Sequence, residues 1–359
     1  MKFLAVTQPG IQAITSDEIR HKWKDSEVNK SISIRNGALT SFSVRTSPAE
    51  LLTLRTTEDV YAALGEVGLS WQKNDLEGLY AHIVASKELE PALAIHRQLH
   101  RRAGMKTTYR VVVQTDRDPR PYRRVDLQKA LEKAIGDRYH HKWKLVDEEA
   151  DLEFWGMLSG RRLILGLRLS DRTMRHRKYK VAHLPASLKP TVAAALVWLS
   201  MPSRGDVFLD PMAGAGTILI ERAEAGPYSQ LYGGDIRDEA VAVMAENIGT
   251  KYQPIDFRQW DATQLPLQNS SVSKIVCNLP FGKQIGTHES NVALYLQAFS
   301  EFNRVLKPEG LMVLLTTEDK LVTNGVASNP GLSLLKKYSR VTVLGLEATV
   351  YVIKKKGGG

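Results

Sequence analysis

Val207-Phe-Leu-Asp-Pro-Met-Ala-Gly-Ala-Gly-Thr-Ile-Leu-Ile-Glu221 begins as an apolar strand, turns sharply through glycine and continues as a helix. A strand that runs straight into a helix through such a turn is half of a β/α unit, and the rest of the chain is read outward from it. Gly214 and Gly216 let the backbone approach a ligand with no Cβ in the way. Thr217 is suited to cap the helix that follows. The spacing is not that of a nicotinamide-type Gly-x-Gly-x-x-Gly, and no phosphate-binding lysine follows, so a P-loop is excluded. Taken alone, the segment reads as no more than a tight strand-to-helix turn.

The surrounding sequence repeats the same alternation. Val207–Asp210, Tyr232–Asp235, Asp256–Trp260, Lys274–Asn278 and Gly310–Thr316 read as strands. Thr217–Ala225, Arg237–Ile248 and Asn291–Leu306 read as the helices between them, and Pro185–Trp198 as a helix start and an apolar helix ahead of the first strand. Regular β/α alternation predicts a parallel, doubly wound sheet whose ligand sits at the carboxyl ends of the strands. Val341–Leu346 and Ala348–Lys354 follow one another through a short turn and predict an antiparallel hairpin at the sheet edge. Three acidic residues fall at strand ends: Asp210, Asp235 in Gly-Gly-Asp-Ile236, and Asp261 in Gln259-Trp-Asp-Ala262. From these positions carboxylates reach ribose hydroxyls (Asp235) and an adenine amino group (Asp261); the alternative for each is a helix cap or a surface carboxylate.

Asn278-Leu-Pro-Phe-Gly282 ends the fourth strand of this series. Asn278 offers a neutral side-chain carbonyl. Pro280 stiffens the turn and restricts Leu279, whose carbonyl can accept a second bond. Phe281 can stack on a planar base, and Gly282 leaves the ring room. The tetrapeptide resembles the (Asn/Asp)-Pro-Pro-(Tyr/Phe) motif of S-adenosylmethionine-dependent amino-methyltransferases that act on nucleic-acid bases, with Leu279 standing where proline is usual. The whole segment resembles a class I methyltransferase, a Rossmann-like α/β domain with a seven-stranded, mostly parallel sheet. That resemblance implies S-adenosylmethionine as cofactor, held by Asp210, Ala213, Gly214, Gly216, Thr217, Asp235, Ile236, Asp261, Ala262 and Asn278. It makes Asn278, Leu279, Pro280 and Phe281 the catalytic turn. It also places Asp210 near the methionine end, Ile236 and Ala262 on either side of the adenine, and Pro185-Ala-Ser-Leu-Lys-Pro190 over the pocket.

The front of the chain has a different grammar. Lys2–Thr7, Ser31–Ile34 and Ser41–Arg45 read as strands, Gly10–Trp23 as a helix, and Pro48–Thr53 and Thr57–Leu64 as short helical or turn segments. Together they predict a small α+β unit. The helix Leu89–Arg102, the strand Tyr109–Gln114, the amphipathic helix Asp126–Tyr139 and the strands Asp151–Met157 and Arg162–Leu169 come next. This order, ahead of a methyltransferase-like domain, resembles a THUMP domain, an RNA-binding module of tRNA-modifying enzymes, over about residues 80–170. Asp171 to His183 is poor in apolar residues and carries Arg172, Arg175, Arg177, Lys178 and Lys180, as an exposed connector would. The domain expectation is a ferredoxin-like α+β domain over 1–75, a THUMP domain over 76–170, a basic linker over 171–184 and the methyltransferase domain over 185–356. Arg172, Arg175, Arg177 and Lys178 are the candidate RNA-binding residues, with a solvated charge run as the alternative.

With 359 residues, 43% hydrophobic and 25% charged, the chain has the composition of a globular protein with several cores. Its net charge of +10 favours a polyanionic partner through phosphate neutralisation. The single cysteine, Cys277, cannot form an internal disulfide and lies in an apolar strand. The apolar stretch Phe3–Val6 is too short for a signal peptide, and Val192–Leu199 is far short of a membrane span. Neither the adjacent His140 and His141 nor His288 is in metal-ligand spacing, so no metal is expected. These features predict a cytoplasmic protein with no membrane association, expected to be monomeric; tRNA as its partner is what the resemblance implies. The combined order resembles the tRNA guanine-N2-methyltransferases. Pro185–Pro190 and Leu54-Arg-Thr-Thr-Glu58 are most like the members acting at position 6 in the acceptor stem. Members acting at position 10 and enzymes acting on ribosomal RNA guanine follow. A protein glutamine methyltransferase and a non-catalytic RNA-binding protein are the readings from other classes.

Overall fold

The computed structural model describes every residue except 101–105, 116–120, 186, 283–287 and 358–359, together with all side chains of the remainder but His288. The end of the helix expected over Leu89–Arg102, Ala186 of the loop expected over the pocket, and most of the Gly357–Gly359 tail lie outside the described residues. Internal contacts divide the chain into two compact units, Met1–Arg175 and His176–Gly359.

The front unit runs β1 (Lys2–Thr7), α1 (Gln12–Lys22), β2 (Glu27–Val28), β3 (Ile32–Ile34), β4 (Gly37–Ser43), α2 (Pro48–Leu51), β5 (Asp59–Gly68), α3 (Asp75–Val84), α4 (Leu89–Leu99), β6 (Thr108–Gln114), α5 (Arg124–Arg138), β7 (Lys144–Leu145), β8 (Leu152–Ser159), β9 (Arg162–Arg168) and α6 (Arg172–Arg175). The expected division at residue 75 does not correspond to a break. One sheet runs in the order β2-β4-β1-β5-β9-β8-β6-β7, with β3 on β4. β5 joins its halves, pairing antiparallel with β1 on one side and with β9 on the other. A single apolar core then extends from Phe3, Trp23 and Phe42 to Leu131, Ile135 and Phe154. β5 itself corrects the expectation of a helical or turn segment over Thr57–Leu64. A strand with neighbours on both edges and burial on both faces reads as a plain apolar run, and periodicity cannot tell that from a short buried helix. Helix α3 was not expected either. Its start is fixed by Asp75, which accepts from the Ser70 N–H (2.9 Å), the Ser70 hydroxyl (2.6 Å) and the Tyr122 hydroxyl (2.7 Å).

The second unit comprises α7 (Pro190–Leu199), β10 (Val207–Asp210), α8 (Thr217–Glu224), β11 (Gln230–Asp235), α9 (Asp238–Ile248), β12 (Ile255–Gln259), β13 (Val272–Asn278), α10 (His288–Val305), β14 (Leu306–Thr316), α11 (Asp319–Ala327), β15 (Leu332–Val343) and β16 (Leu346–Lys355). Its seven strands stand in the order β12-β11-β10-β13-β14-β16-β15. The first five are parallel, and β16 is antiparallel to both β14 and β15. This is the doubly wound sheet expected from the sequence. Two details differ. Helix α11 fills the segment before the hairpin, and β15 starts at Leu332 rather than Val341. Lys336, Lys337 and Arg340 on β15 break the apolar alternation, as edge strands commonly do to discourage further pairing. The hairpin turn falls at Leu344-Gly345, both with positive φ (51° and 79°), the geometry of a two-residue turn.

His96 on α4 is buried in the front unit, its ring 4.5 Å from that of His100. Burial pushes its pKa from 6.5 down to about 4, with the neighbouring His100 adding to the effect. The unfolded chain therefore binds a proton below pH 6.5 that the folded unit refuses until about pH 4. Stability falls as pH drops through that window, by about 3 kcal/mol at its lower end. His96→Gln should flatten this part of the pH–stability curve, measured by urea unfolding of the front unit between pH 7.5 and 4. Parallel curves for the two proteins would remove His96 as the cause.

Candidate active site

In an open parallel sheet, a crevice forms where the strand order reverses, because the helices leave neighbouring strand ends toward opposite faces. Here that place lies between β10 and β13, which pair directly through Leu209 and Ile275. A cavity of about 290 Å³ opens there, and Asp210, Asp235, Asp261 and Asn278 all line it.

The glycine turn after β10 is held from below. Ala213 N–H donates to the Gly234 carbonyl (2.8 Å), and Gly216 N–H closes onto the Ala213 carbonyl (2.8 Å). Gly214 has φ 51° and donates its N–H to Asp235 Oδ2 (3.0 Å). Gly216, at φ 78°, takes the cap position of α8 that the sequence reading gave to Thr217. A Cβ on Gly216 would come within 2.8 Å of Met244 Cγ, and the residue is not on the cavity wall. It shapes the turn, whereas Ala213, Gly214 and Thr217 face the cavity. The glycines before Asp235 have a similar cause. A Cβ on Gly233 would meet Leu219 at 2.2 Å and one on Gly234 would meet Trp260 at 2.3 Å. Only bare backbone fits between α8 and Trp260, whose indole N–H is fixed on the Pro211 carbonyl (3.0 Å).

The carboxylates differ in state. Asp235, 7% exposed, also accepts from the Arg237 N–H and guanidinium Nε, each 3.1 Å from Oδ1. Asp261 is exposed and uses Oδ1 to hold the Thr263 N–H (2.8 Å) and hydroxyl (2.7 Å). Asp210 is 1% exposed; Oδ1 accepts from Met212 N–H (3.3 Å), while Oδ2 is buried with no partner. Burial pushes its pKa well above the usual carboxylate range; the Met212 bond opposes this, and the charge of Asp235 adds to it. A buried, half-satisfied carboxylate is costly unless a cationic or hydrogen-donating group completes it.

The Asn278 turn is fastened by its neighbours. Leu279 N–H donates to the Leu315 carbonyl at the end of β14 (3.0 Å). The Pro280 carbonyl accepts from Asn291 Nδ2 (3.0 Å) and the Tyr295 hydroxyl (2.8 Å), both on α10. Tyr295 is itself linked to Thr316 (2.6 Å), and Thr317 donates to the Phe281 carbonyl (3.2 Å). Asn278 Oδ1, in contrast, is buried without a hydrogen-bond partner among the described residues. The Leu279 side chain is 1% exposed, which accounts for leucine in place of proline as a core residue. Cys277 beneath it is fully buried, and burial raises its thiol pKa.

Several wall residues were not read from the sequence. The hairpin tip contributes Val343, Leu344 and Leu346, α10 contributes Leu294, and Arg237 stands beside Asp235. Ile236 and Leu344 are 64% and 47% exposed, large apolar groups that suit a planar ligand. Arg175 and Arg177 depart from the expectation of free cations. Arg175 is ion-paired with the fully buried Asp59, which also holds Arg168 (2.6 Å), and Arg177 lies 3.4 Å from the buried Glu221. A buried carboxylate needs such a partner, so both guanidiniums are committed inside their own units. Arg172 and Lys178 are exposed.

The lining fits S-adenosylmethionine in kind: the unpaired Asp210 oxygen can take a cationic or hydrogen-donating group, and the cavity also carries the Asp235 carboxylate and the exposed Ile236 side chain. The sequence profile of the UPF0020 family, described as an RMKL-like methyltransferase domain, matches residues 177–345. The chain is 33% identical over 230 residues to the mouse (Mus musculus) protein named tRNA (guanine(6)-N(2))-methyltransferase THUMP3, covering 60% of this chain and 45% of that one. It is 32% identical over 199 residues to the tRNA (guanine(6)-N2)-methyltransferase of Thermus thermophilus, covering 55% and 58%. It is also 32% identical over 179 residues to the bovine (Bos taurus) U6 snRNA (guanine-N(2))-methyltransferase THUMPD2, covering 49% and 34%. The chain thus spans about half the length, or less, of these curated relatives. Among solved structures, TrmN from Thermus thermophilus superposes with a TM-score of 0.80 over 99% of both chains at 23% identity, which establishes a shared fold. Residues 177–345 thus match an RMKL-like methyltransferase domain, and the chain is similar in sequence to proteins named as guanine-N2-methyltransferases.

Proposed function

We propose that the protein methylates the exocyclic amino group (N2) of a guanosine in tRNA, at position 6 of the acceptor stem, using S-adenosylmethionine. The observation that carries this reading is the buried, unpartnered Oδ1 of Asn278 at the strand end beside Asp210, with Phe281 on the same cavity. Two of the relatives reported above are named for guanine at position 6 of tRNA, which supports the finer assignment. Position 10 of tRNA, ribosomal RNA guanine and U6 snRNA guanine are the neighbouring readings within the same chemistry.

The exocyclic nitrogen of guanine is a weak nucleophile because its lone pair is delocalised into the ring. When bound, S-adenosylmethionine supplies an electrophilic methyl group carried on sulfur. The chain supplies position and polarity. Asn278 Oδ1 accepts one amino hydrogen and the Leu279 carbonyl the other, which draws the nitrogen toward a pyramidal form. Phe281 stacks on the base. Asn278 is no base, so the proton leaves to solvent after the transfer. Pro280 and Phe281 carbonyls are already occupied by Asn291, Tyr295 and Thr317, which keeps the turn rigid while the base comes and goes. A base in a stem must be extruded to reach this site, at a cost of a few kcal/mol. The front unit, including the THUMP-like stretch over about 80–170, holds the tRNA, and the protein acts as a monomer in the cytoplasm.

Asn278→Ala should lower the single-turnover rate of labelled methyl transfer to tRNA by roughly 10² or more, with cofactor affinity retained. Phe281→Ala should impair both turnover and tRNA affinity. Digestion of the product to nucleosides, followed by mapping, identifies the base and position. A wild-type rate in Asn278→Ala, or N6-methyladenosine or methylated protein as product, would overturn the assignment.

Asp235→Ala should weaken S-adenosylmethionine binding by about 1.5–3 kcal/mol through loss of a charge-assisted bond. Titration calorimetry giving the wild-type affinity would take Asp235 out of the cofactor site.

The free cations make a separate prediction. Arg172→Ala with Lys178→Ala should reduce the salt slope of tRNA binding by about 2, roughly one for each lost phosphate contact. Arg175→Ala should instead destabilise the front unit by taking one of two guanidiniums from the buried Asp59, which keeps Arg168. An unchanged slope in the double variant would return Arg172 and Lys178 to a solvated surface.

A further inference from the structure

The segment expected to be a basic linker is, from Arg177 onward, a strap fixed to the methyltransferase unit by polar side chains. Arg177 Nε (3.4 Å) and the Tyr179 hydroxyl (2.6 Å) meet the same oxygen of Glu221, a fully buried carboxylate on α8. Lys180 Nζ donates to the Leu188 carbonyl (2.8 Å). Leu184 packs with Ala215 and Ala240 in a small core of its own. Leu184 and Pro185, at the end of the strap, line the cofactor cavity together with Ser187, Leu188 and residues of the glycine turn.

Asn247, on α9 and 5% exposed, joins the two sides. Its Oδ1 accepts from the Ala182 N–H (2.9 Å), and its Nδ2 donates to the Ala182 carbonyl (3.1 Å). The same Nδ2 donates to the Ala215 carbonyl (3.0 Å), within the glycine turn. One side-chain amide is thus bonded at once to the backbone of the strap and to the backbone of the turn, and it does not itself line the cavity.

We propose that Asn247 is a positioning residue that sets cofactor affinity by docking the strap, residues 177–185, against the glycine turn. Docking of the strap and binding of the cofactor are then linked, each favouring the other to the same extent. The inference rests on the reading of this cavity as the cofactor pocket. Any side chain that only filled space between α9 and the strap would not need both amide atoms. Asn247 uses both, on two different segments, which holds the strap to the turn rather than merely excluding water.

The test uses the full chain and S-adenosylhomocysteine as the probe. Asn247→Leu, similar in size and unable to make any of the three bonds, should bind at least tenfold more weakly by calorimetry. Lys180→Met, which removes only the bond to the Leu188 carbonyl, should bind a few-fold more weakly with the melting temperature of the free protein unchanged. Hydrogen exchange should show amides 177–185 slowed by the ligand in the wild type, and fast without ligand in Asn247→Leu. A purely structural role would lower the melting temperature and leave the affinity of the folded fraction intact. Wild-type affinity in both variants, or strap amides that ignore the ligand, overturns the proposal. Should Asn247→Leu fail to fold, Lys180→Met and the wild-type exchange decide it. A wild-type protein that binds no S-adenosylhomocysteine sinks the reading of the pocket and this inference with it; wild-type binding with unaltered variants sinks the inference alone.

Discussion

The reversal of strand order between β10 and β13 is the constraint on which the site depends. Parallel strands end on the same side of the sheet, and helices that leave adjacent strands toward opposite faces cannot fill the space between them. Asp210 and Asn278 terminate those two strands and therefore face one gap. Each keeps a buried oxygen unpartnered there, in a protein whose other buried polar groups are largely bonded. Two unpartnered oxygens therefore border the same cavity. Position and unsatisfied polarity thus come from the same topological event.

The floor of the site is set by crowding. Gly233 and Gly234 let β11 pass between Leu219 and Trp260, and Asp235 follows immediately at the strand end. Asp235 then accepts the Gly214 N–H, tying the second strand end to the first turn. The Asn278 turn is fixed in the same way, by Asn291 and Tyr295 on α10 and by the end of β14. Rigidity in each case comes from hydrogen bonds between the turn and neighbouring elements.

Charge shows how far a one-dimensional reading can go. Arg172 to Lys180 looks like a single basic run, yet its members have separate fates. Arg175 satisfies the buried Asp59 of the front unit, Arg177 satisfies the buried Glu221 of the methyltransferase unit, and Lys180 holds a carbonyl of the pocket roof. For Lys180, burial lowers the pKa to about 8, a sign of how little solvent reaches it. Only Arg172 and Lys178 keep the exposed character that composition suggested. A run of cations in sequence carries no record of which carboxylates the fold will bring to it.

The sequence by itself determined the methyltransferase fold and the strand ends that bear its polar residues. β/α alternation has a strong local signature, and glycine turns mark where strands hand over to helices. Asp210, Asp235, Asp261 and Asn278 could be placed on one side of the sheet because parallel strands share a direction. Tertiary structure decided what local pattern does not encode. The two front segments share one sheet because β5 meets β9 across a hundred residues of chain, roughly, and burial on both faces erased its alternation. Gly216 serves the turn rather than the cavity because Met244 on a different helix stands over it. The hairpin tip and the strap reach the pocket through contacts between segments distant in sequence, and Asn247 acquires its three bonds only when α9, the strap and the glycine turn come together.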